Sequence, residues 1–282
     1  MTFPVVYGAG TLWMRGPDGA LNAETVKAFR TAIDLGYRQI DGAQTVYNTE
    51  PELGAAIKES GVPRSEFAVT TKTVDIDHVE QTLKTSLSKL QMAYVDLYLI
   101  HTPFVAKSKE HLQSAWRDME RCVQRGLAKK IGVSSFTIEH VEWILEVATI
   151  KPALNQIEMH PYVQQPELMA YLKQHGIPIQ GFAALTPLTK VKDGPAVKPC
   201  KELAEKYGVS EAAVLLRWVI DQGASVVTTS AQSERLAGYL EQVGKFQLTS
   251  EDVQSISEPS KGEYFRGFFA EDFETWGKRT KD

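Results

Sequence analysis

The fold is decided by one stretch of the chain, VDLYLIHTPFVAKSKEHLQSAWRDMERCVQRGLAKKIGVSS, residues 95–135. It begins with the apolar run VDLYLIH (95–101) and ends with the apolar run AKKIGVSS (128–135), and both have the length of a buried strand. Between them, Leu112, Trp116, Met119 and Val123 recur at intervals of four, three and four residues, which predicts one face of an amphipathic helix. Gly126 closes that helix. The stretch therefore predicts a strand, a helix and a second strand.

The same alternation runs through the whole chain. A second helix begins at the cap Asn22 and ends at Gly36. Eight strands separated by helices in about 250 residues predict an α/β fold, the (β/α)8 TIM barrel. A doubly wound sheet is the main alternative, but no G-x-G-x-x-G motif follows the first strand. The six other predicted strands are PVVYGAG (4–10), YRQIDGA (37–43), FAVTTK (67–72), PALNQIE (152–158), PIQGFAAL (178–185) and ASVVTTS (224–230), and the other predicted helices span 50–60, 78–91, 138–149, 165–175, 198–222 in two pieces, 233–243 and 249–257.

Composition and charge exclude several classes of protein. Of the 282 residues, 43% are hydrophobic and 23% charged, as in a soluble globular protein. The net charge of −4 gives no reason to expect a nucleic-acid partner, and no apolar run approaches the roughly 20 residues that span a membrane. Two cysteines and an N-terminus without a secretory signal favour the cytoplasm. We expect one domain, residues 1–282, with residues 259–282 as a C-terminal tail over the barrel mouth.

Charged side chains end three consecutive predicted strands. The active site of a barrel enzyme lies at the C-terminal ends of its strands, where this chain has Asp41, Lys72 and His101, with Tyr47 on the loop after Asp41. Each residue alone also fits an ordinary structural role, but the four together predict catalysis. An ammonium beside a tyrosine lowers the pKa of the phenol, and a neutral histidine can orient a carbonyl oxygen. The set predicts protonation of a developing alkoxide without a metal, because no cluster of Cys and His with zinc spacing is present.

These motifs resemble the aldo-keto reductase superfamily, and in particular its fungal keto reductases. The resemblance covers essentially the whole chain and rests on six matches in order: GYRQIDGAQTVYNTEPELG, VTTK, YVDLYLIHTPF, KKIGVSSF, PALNQIEMHPY and VVTTSAQSER. It implies that Tyr47 is the general acid, that Lys72 and Asp41 tune it, and that His101 orients the substrate carbonyl. Trp13, just past the first strand, is expected to form a wall of the substrate pocket with Tyr47 and His101.

The resemblance also implies NADPH/NADP+ as cofactor, bound without a Rossmann fold. Ser134, Ser135 and Gln156 would bind the carboxamide, Phe182 would stack on the nicotinamide, and Arg235 with two hydroxyls would bind the 2′-phosphate. The full set of implied cofactor residues is Thr11, Asp41, Ser134, Ser135, Gln156, Phe182, Ala183, Leu185, Ala212, Thr228, Thr229, Ser230 and Arg235.

This chain departs from the family pattern at several positions. Tyr47 follows Asp41 by six residues where the family usually has five, so we expect the extra residue to bulge outward. Thr229 replaces the usual lysine near the 2′-phosphate, and Gly238 replaces an acid near the adenine. Phe182 keeps the ring of the usual tyrosine and loses its hydroxyl.

Two questions stay open at this level. The aromatic tail YFRGFFAEDFETW (264–276) shows little helical periodicity and is either a lid over the pocket or cladding of the barrel. The leading function is an NADPH-dependent carbonyl reductase acting on a small-molecule carbonyl substrate, as a monomer or a dimer. The alternatives are a non-catalytic NADP(H)-binding regulatory subunit and, less favoured, a barrel hydrolase or aldolase.

Overall fold

The computed structural model describes residues 4–15 and 19–279 and shows a closed barrel of eight parallel strands in sequence order. The barrel closes where Tyr7 on the first strand pairs with Thr228 on the last. The predicted (β/α)8 fold is confirmed. The strands are β1 Val5–Gly8, β2 Gln39–Asp41, β3 Ala68–Thr73, β4 Val95–Ile100, β5 Ala128–Ser134, β6 Asn155–Glu158, β7 Ile179–Phe182 and β8 Ala224–Thr228.

Helices surround this barrel and bury their apolar faces against it. Across the described ranges, no helix has the length and apolar character needed to cross a membrane. The helices are α1 Ala23–Asp34, α2 Gln44–Tyr47, α3 Glu50–Ser60, α4 Val79–Leu90, α5 Lys109–Gln124, α6 Ile138–Leu145, α7 Pro166–Gln174, α8 Thr186–Thr189, α9 Val197–Tyr207, α10 Glu211–Ile220, α11 Ser233–Val243, α12 Ser250–Ser260 and α13 Ala270–Arg279.

Local sequence explains why α5 forms where it does. The Ser108 side chain accepts a hydrogen bond from the backbone N–H of His111 and so caps the first turn. Leu112, Trp116 and Met119 are fully buried, as their spacing predicts. The helix ends before Gly126, whose φ of +71° is a left-handed conformation that glycine adopts without steric cost. The N-cap, the apolar stripe and the terminal glycine together define this helix.

Several segments differ from the predictions. Residues 44–47 form a short helix, α2, and residues 11–13 form a 3-10 turn, where the sequence shows no periodicity. The predicted helix 138–149 ends at Leu145. The tail contains a helix, α13, although its sequence shows little helical periodicity. These segments are held by contacts with distant parts of the chain, which periodicity alone does not report.

Candidate active site

A buried ion pair links the ends of β2 and β3 at the mouth of the barrel. The Lys72 ammonium donates hydrogen bonds to Asp41 Oδ1 at 2.5 Å and to the Gly42 carbonyl at 2.9 Å. Gln156 Nε2 donates to the other oxygen, Asp41 Oδ2, at 2.7 Å. Asp41 and Lys72 are buried, so this pair is held in a place from which water is largely excluded. The structure therefore brings Asp41 and Lys72 together, as the sequence predicts. It also places the side chain of Gln156 on the same carboxylate.

Tyr47 is positioned by the loop that follows β1. Its backbone carbonyl accepts a hydrogen bond from Arg15 N at 3.1 Å, and Thr49 Oγ1 donates to the Ala9 carbonyl at 2.6 Å. Gly10 lies directly against the ring, since a methyl group there would be 2.4 Å from Tyr47 Cε2. The ring centroid of Tyr47 lies 6.0 Å from that of His101. The structure thus brings Tyr47 and His101 into contact.

The extra residue between Asp41 and Tyr47 is taken up by a helical turn. Residues 44–47 form α2, and Asn48 ends it with a left-handed φ of 53°. A turn of helix advances the chain less per residue than an extended loop does, so the five residues between Asp41 and Tyr47 are accommodated. The expected outward bulge is therefore replaced by α2.

The expected lowering of the Tyr47 pKa by Lys72 is wrong for this structure. Burial, and then the negative charge of Asp41, raise the pKa of Tyr47 well above its ordinary value. The reason is that burial disfavours the charged phenolate, while the Lys72 ammonium donates to Asp41 and the Gly42 carbonyl. The phenol of Tyr47 is consequently fully protonated at neutral pH.

His101 ends β4 and stays uncharged. Its backbone N–H donates to the Thr73 carbonyl at 2.8 Å, and its side chain is buried. Burial, and then the positive charge of Lys72, lower its pKa to about 3. Within the described residues, the buried Nδ1 atom has no hydrogen-bond partner, so the imidazole has hydrogen-bonding capacity left for a ligand.

Trp13, the predicted wall of the substrate pocket, is half-buried in the turn after β1. Its ring packs edge-on against Phe29 of α1 at 5.9 Å, and Nε1 is buried. The neighbours Leu12 and Met14 are the exposed apolar side chains of this turn, with 51% and 56% of their surfaces accessible. The expectation that Trp13 forms a wall of the substrate pocket stays a prediction, and Leu12 and Met14 are further apolar groups that this loop presents.

The predicted carboxamide and nicotinamide residues surround the ends of β5, β6 and β7. Ser134, Ser135 and Gln156 are buried, and Gln156 Nε2 also donates to Gln180 Oε1 at 2.6 Å. Ser135 and Ala183 have left-handed φ values of 61° and 60°, which are costly for residues with a Cβ and cluster at functional sites.

A groove of about 760 Å³ continues from this region along α9, α10 and α11. Three predicted cofactor residues line it: Leu185, Ala212 and Arg235. Gly238, the position where the family's acid is missing, lies in the same groove. The structure therefore brings residues from distant parts of the sequence to one groove.

The last predicted cofactor residues lie at the end of β8, on α11 and in the turn after β1. Thr228 and Ser230 are buried, and Ser230 Oγ accepts a hydrogen bond from Gln232 N at 3.0 Å. The Thr229 hydroxyl is buried beside the phenol of Tyr7, whereas Thr11 and Arg235 are exposed. Arg235 is thus the accessible cation of this group.

Two residues at the mouth were missed by sequence reasoning, Gly10 and Glu158, whereas Phe268 and Phe269 belong to the aromatic tail that the sequence offers as a possible lid. Phe269 lies 6.0 Å from His101 and Phe268 lies 5.2 Å from Phe182, measured between ring centroids. Glu158 ends β6, and the signal that identified Asp41 and Lys72, a charged side chain ending an apolar strand, also marks it.

A closed barrel with a Lys–Asp pair, a tyrosine and a neutral histidine at the C-terminal ends of its strands is a barrel enzyme. The profile of the Aldo/keto reductase family matches residues 4–261, and the chain belongs to this family. It is an NAD(P)-dependent oxidoreductase whose reaction is carbonyl reduction.

Two fungal proteins are similar to this chain over most of their length. The NAD/NADP-dependent indole-3-acetaldehyde reductase of Schizosaccharomyces pombe is 35% identical over 254 residues, which cover 89% of each chain. The NADPH-dependent alpha-keto amide reductase of Saccharomyces cerevisiae is 37% identical over 268 residues, which cover 90% of this chain and 85% of that one.

Solved structures give the same result. An aldo-keto reductase from a Medee basin deep-sea metagenome superimposes with a TM-score of 0.84 at 30% identity, covering 96% of both chains. The Bombyx mori aldo-keto reductase in complex with NADP superimposes with a TM-score of 0.82 at 32% identity, covering 96% of this chain and 93% of that one.

Proposed function

We propose that this chain reduces aldehydes or ketones with NADPH and that Tyr47 donates the proton to the developing alkoxide. The observation that carries the proposal is the contact between Tyr47 and the neutral His101, beside the buried Lys72–Asp41 pair. When bound, the cofactor supplies the hydride. The residues of this chain supply orientation, a proton and exclusion of water.

The pKa values favour Tyr47 over His101 as the proton donor. An imidazole with a pKa of about 3 carries no second proton at neutral pH, so it can hydrogen-bond to a carbonyl oxygen but has no proton to give. The phenol of Tyr47 keeps its proton at neutral pH because its pKa is raised. An alkoxide is a stronger base than a phenolate, so the transfer from Tyr47 is downhill once the alkoxide forms.

The cofactor residues fit a nicotinamide dinucleotide. Ser134, Ser135 and Gln156 offer buried polar groups near the catalytic set, and Phe182 offers a ring at the end of β7. The groove on α9, α10 and α11 is lined by Leu185 and Ala212 and offers the guanidinium of Arg235, which suits a phosphate group. We assign the 2′-phosphate chiefly to Arg235, because the Thr229 hydroxyl is buried beside Tyr7 and Ser230 is buried and already accepts from Gln232 N.

We infer a modest preference for NADPH over NADH. Besides Arg235, the groove has one further cation, Lys201, and three carboxylates, Glu205, Glu211 and Glu234. This mixture attracts a dianionic phosphate less strongly than a cluster of cations would. The Schizosaccharomyces pombe relative, which is named for both NAD and NADP, is consistent with such a site.

The substrate is proposed to be a small carbonyl compound held between His101, Tyr47 and the tail. The named relatives act on indole-3-acetaldehyde and alpha-keto amides, which share a carbonyl group. We propose that the tail from residue 259 lies over the barrel mouth as a lid, which the contacts of Phe268 and Phe269 with Phe182 and His101 support; residues 280–282 of the predicted tail lie outside the described residues.

A screen of NADPH oxidation across aldehydes, diketones, α-keto amides and α-keto lactones tests this function. We expect turnover with at least one class, with kcat abolished by Tyr47→Phe. Tight NADPH binding without oxidation by any carbonyl compound would instead support the non-catalytic regulatory subunit. The intact set of Asp41, Tyr47, Lys72 and His101 argues against that alternative.

A further inference from the structure

Glu158, the last residue of β6, holds the C-terminal segment by its side chain. Its Oε1 atom accepts hydrogen bonds from Gly267 N at 2.8 Å and from His160 Nε2 at 3.0 Å. Its Oε2 atom accepts from Phe268 N at 3.2 Å, and Arg266 Nη1 lies 3.9 Å away. Only 1% of Glu158 is exposed. Two of its three hydrogen bonds therefore come from backbone more than 100 positions later in the chain.

The two residues that follow this contact reach the proposed catalytic groups. Phe268 packs edge-on against Phe182, and Phe269 packs edge-on against His101. Phe269 has a left-handed φ of 56°, a conformation that a bulky side chain adopts only when its surroundings hold it there. The backbone that Glu158 fixes is thus the backbone that aims both rings at the site.

A buried carboxylate without partners is costly, and hydrogen bonds to a charged acceptor are about twice as strong as neutral ones. The barrel offers His160 to Glu158, and the remaining hydrogen-bond donors come from the tail. The carboxylate therefore stabilises one placement of residues 266–269. A tail that only covered the barrel would need no more than apolar contact. The tail makes such contacts elsewhere, where Phe273 packs against Phe104 and Trp276 packs against His140.

We propose that Glu158 is a positioning residue that fixes Phe268 and Phe269 against the active site, and that it thereby sets which carbonyl substrates are accepted. This inference rests on the proposed function for its consequence on substrates. Its structural part, the fixing of residues 266–269 by Glu158, does not depend on that function. A loss of this contact frees both rings while Tyr47, Lys72 and Asp41 keep their places.

The test compares Glu158→Gln, Gly267→Pro and their double variant. Glu158→Gln replaces one acceptor oxygen by a donor, and Gly267→Pro removes the N–H that donates to Glu158 without changing the barrel. Glu258→Gln is the matched control, because Glu258 pairs with the exposed Lys261 on α12. If Glu158→Gln, a change inside the barrel, prevents folding, Gly267→Pro still tests the proposal because Gly267 lies in the tail.

Two readouts separate positioning from a general structural role. Amide hydrogen exchange over residues 264–276 should be about tenfold faster in both single variants than in the wild type or the control, with exchange in α5 unchanged. KM for a bulky carbonyl substrate should rise several-fold while kcat for a small one stays within about twofold. The double variant should resemble either single one, since both remove the same contact.

The ring itself is tested by Phe269→Ala and Phe269→Gly. Both should broaden substrate preference. Only the glycine variant relieves the strain of the left-handed backbone at position 269, so hydrogen exchange in the tail should be slower in it than in the alanine variant. Unchanged exchange in the tail of Glu158→Gln and Gly267→Pro would overturn the proposal. If the wild type reduces no carbonyl compound, the proposed function fails, whereas the exchange experiment still decides the role of Glu158.

Discussion

Gly10 and the ring of Tyr47 are in direct contact, and no side chain larger than hydrogen fits between them. A methyl group on Gly10 would lie 2.4 Å from Tyr47 Cε2, a separation that forces one of the two to move. The loop after β1 therefore supports the proposed proton donor from behind. The sequence GAG, which lacks the pattern of a dinucleotide-binding glycine motif, has a different use here: close approach to an aromatic ring.

Gly10→Ala should displace the ring of Tyr47 and lower kcat. We expect a loss of at least tenfold, because misplacing a reacting group by about 1 Å costs on the order of 100-fold. The dissociation constant of NADPH, measured by fluorescence titration, should change little. Gly244→Ala is the control, since nothing lies within 4 Å of a methyl group at Gly244. Normal kcat in Gly10→Ala would show that the ring has room to shift without consequence.

Arg235→Ala should weaken NADPH and leave NADH almost unaffected. A charge-assisted contact contributes roughly 1.5–3 kcal/mol, or one to two decades of affinity. Thr229→Lys, which restores the family's usual cation, should shift the preference in the opposite direction. Dissociation constants for both cofactors measure these effects. Equal losses for the two cofactors in Arg235→Ala would refute a role in binding the 2′-phosphate.

Truncation after Gly262 should leave a folded barrel that still binds NADPH. We expect KM to rise and substrate preference to broaden, because Phe268 and Phe269 no longer reach Phe182 and His101. The melting temperature should fall only modestly, since the removed aromatic groups lie outside the barrel core. If the tail only covers the barrel, the truncation should cause a large fall in melting temperature and leave KM unchanged. An insoluble product would also count against a lid.

His140 should make the protein less stable as the pH falls from about 6.5 to about 4. Burial lowers its pKa from 6.5 to about 4, so within this window the unfolded chain binds a proton that the folded protein does not. The free energy of unfolding therefore decreases on acidification and is unaffected by this group above pH 6.5.

His140→Phe removes this titration and keeps an aromatic ring beside Phe104, Phe136, Trp143 and Trp276. The difference in melting temperature between pH 7 and pH 5 should shrink, whereas the exposed-site control His78→Asn should behave as the wild type does. Identical acid sensitivity of His140→Phe and the wild type would contradict the expected role. His101, whose pKa is also lowered, contributes in the same direction in all three proteins.

The sequence predicts the parts of this protein that follow from local pattern. The barrel follows from apolar runs alternating with amphipathic helices, and Asp41, Lys72 and His101 follow from charged residues ending those runs. The parts that depend on distant contacts were not predictable in this way. Helix α13 and the placement of Phe269 depend on Glu158 and the aromatic groups of the barrel, and the orientation of Trp13 depends on Phe29.

The raised pKa of Tyr47 is another feature that depends on contacts between distant parts of the chain. The residue types suggest that an ammonium lowers this pKa, but the effect depends on where the Lys72 charge is directed. In the structure Lys72 donates to Asp41 and Gly42, and burial dominates at Tyr47. The spacing of residues along the chain predicts which groups lie close together. The direction of a pKa shift can be predicted only when the geometry of those groups is known.

The most direct test of the central claim is the kcat of Tyr47→Phe together with its dissociation constant for NADPH. The substitution removes only the phenolic oxygen, so the ring still packs against Gly10 and His101. The account predicts that turnover of every carbonyl substrate is abolished while the dissociation constant stays within a few-fold of the wild-type value. A kcat close to that of the wild type would show that Tyr47 is not the proton donor and would contradict the account.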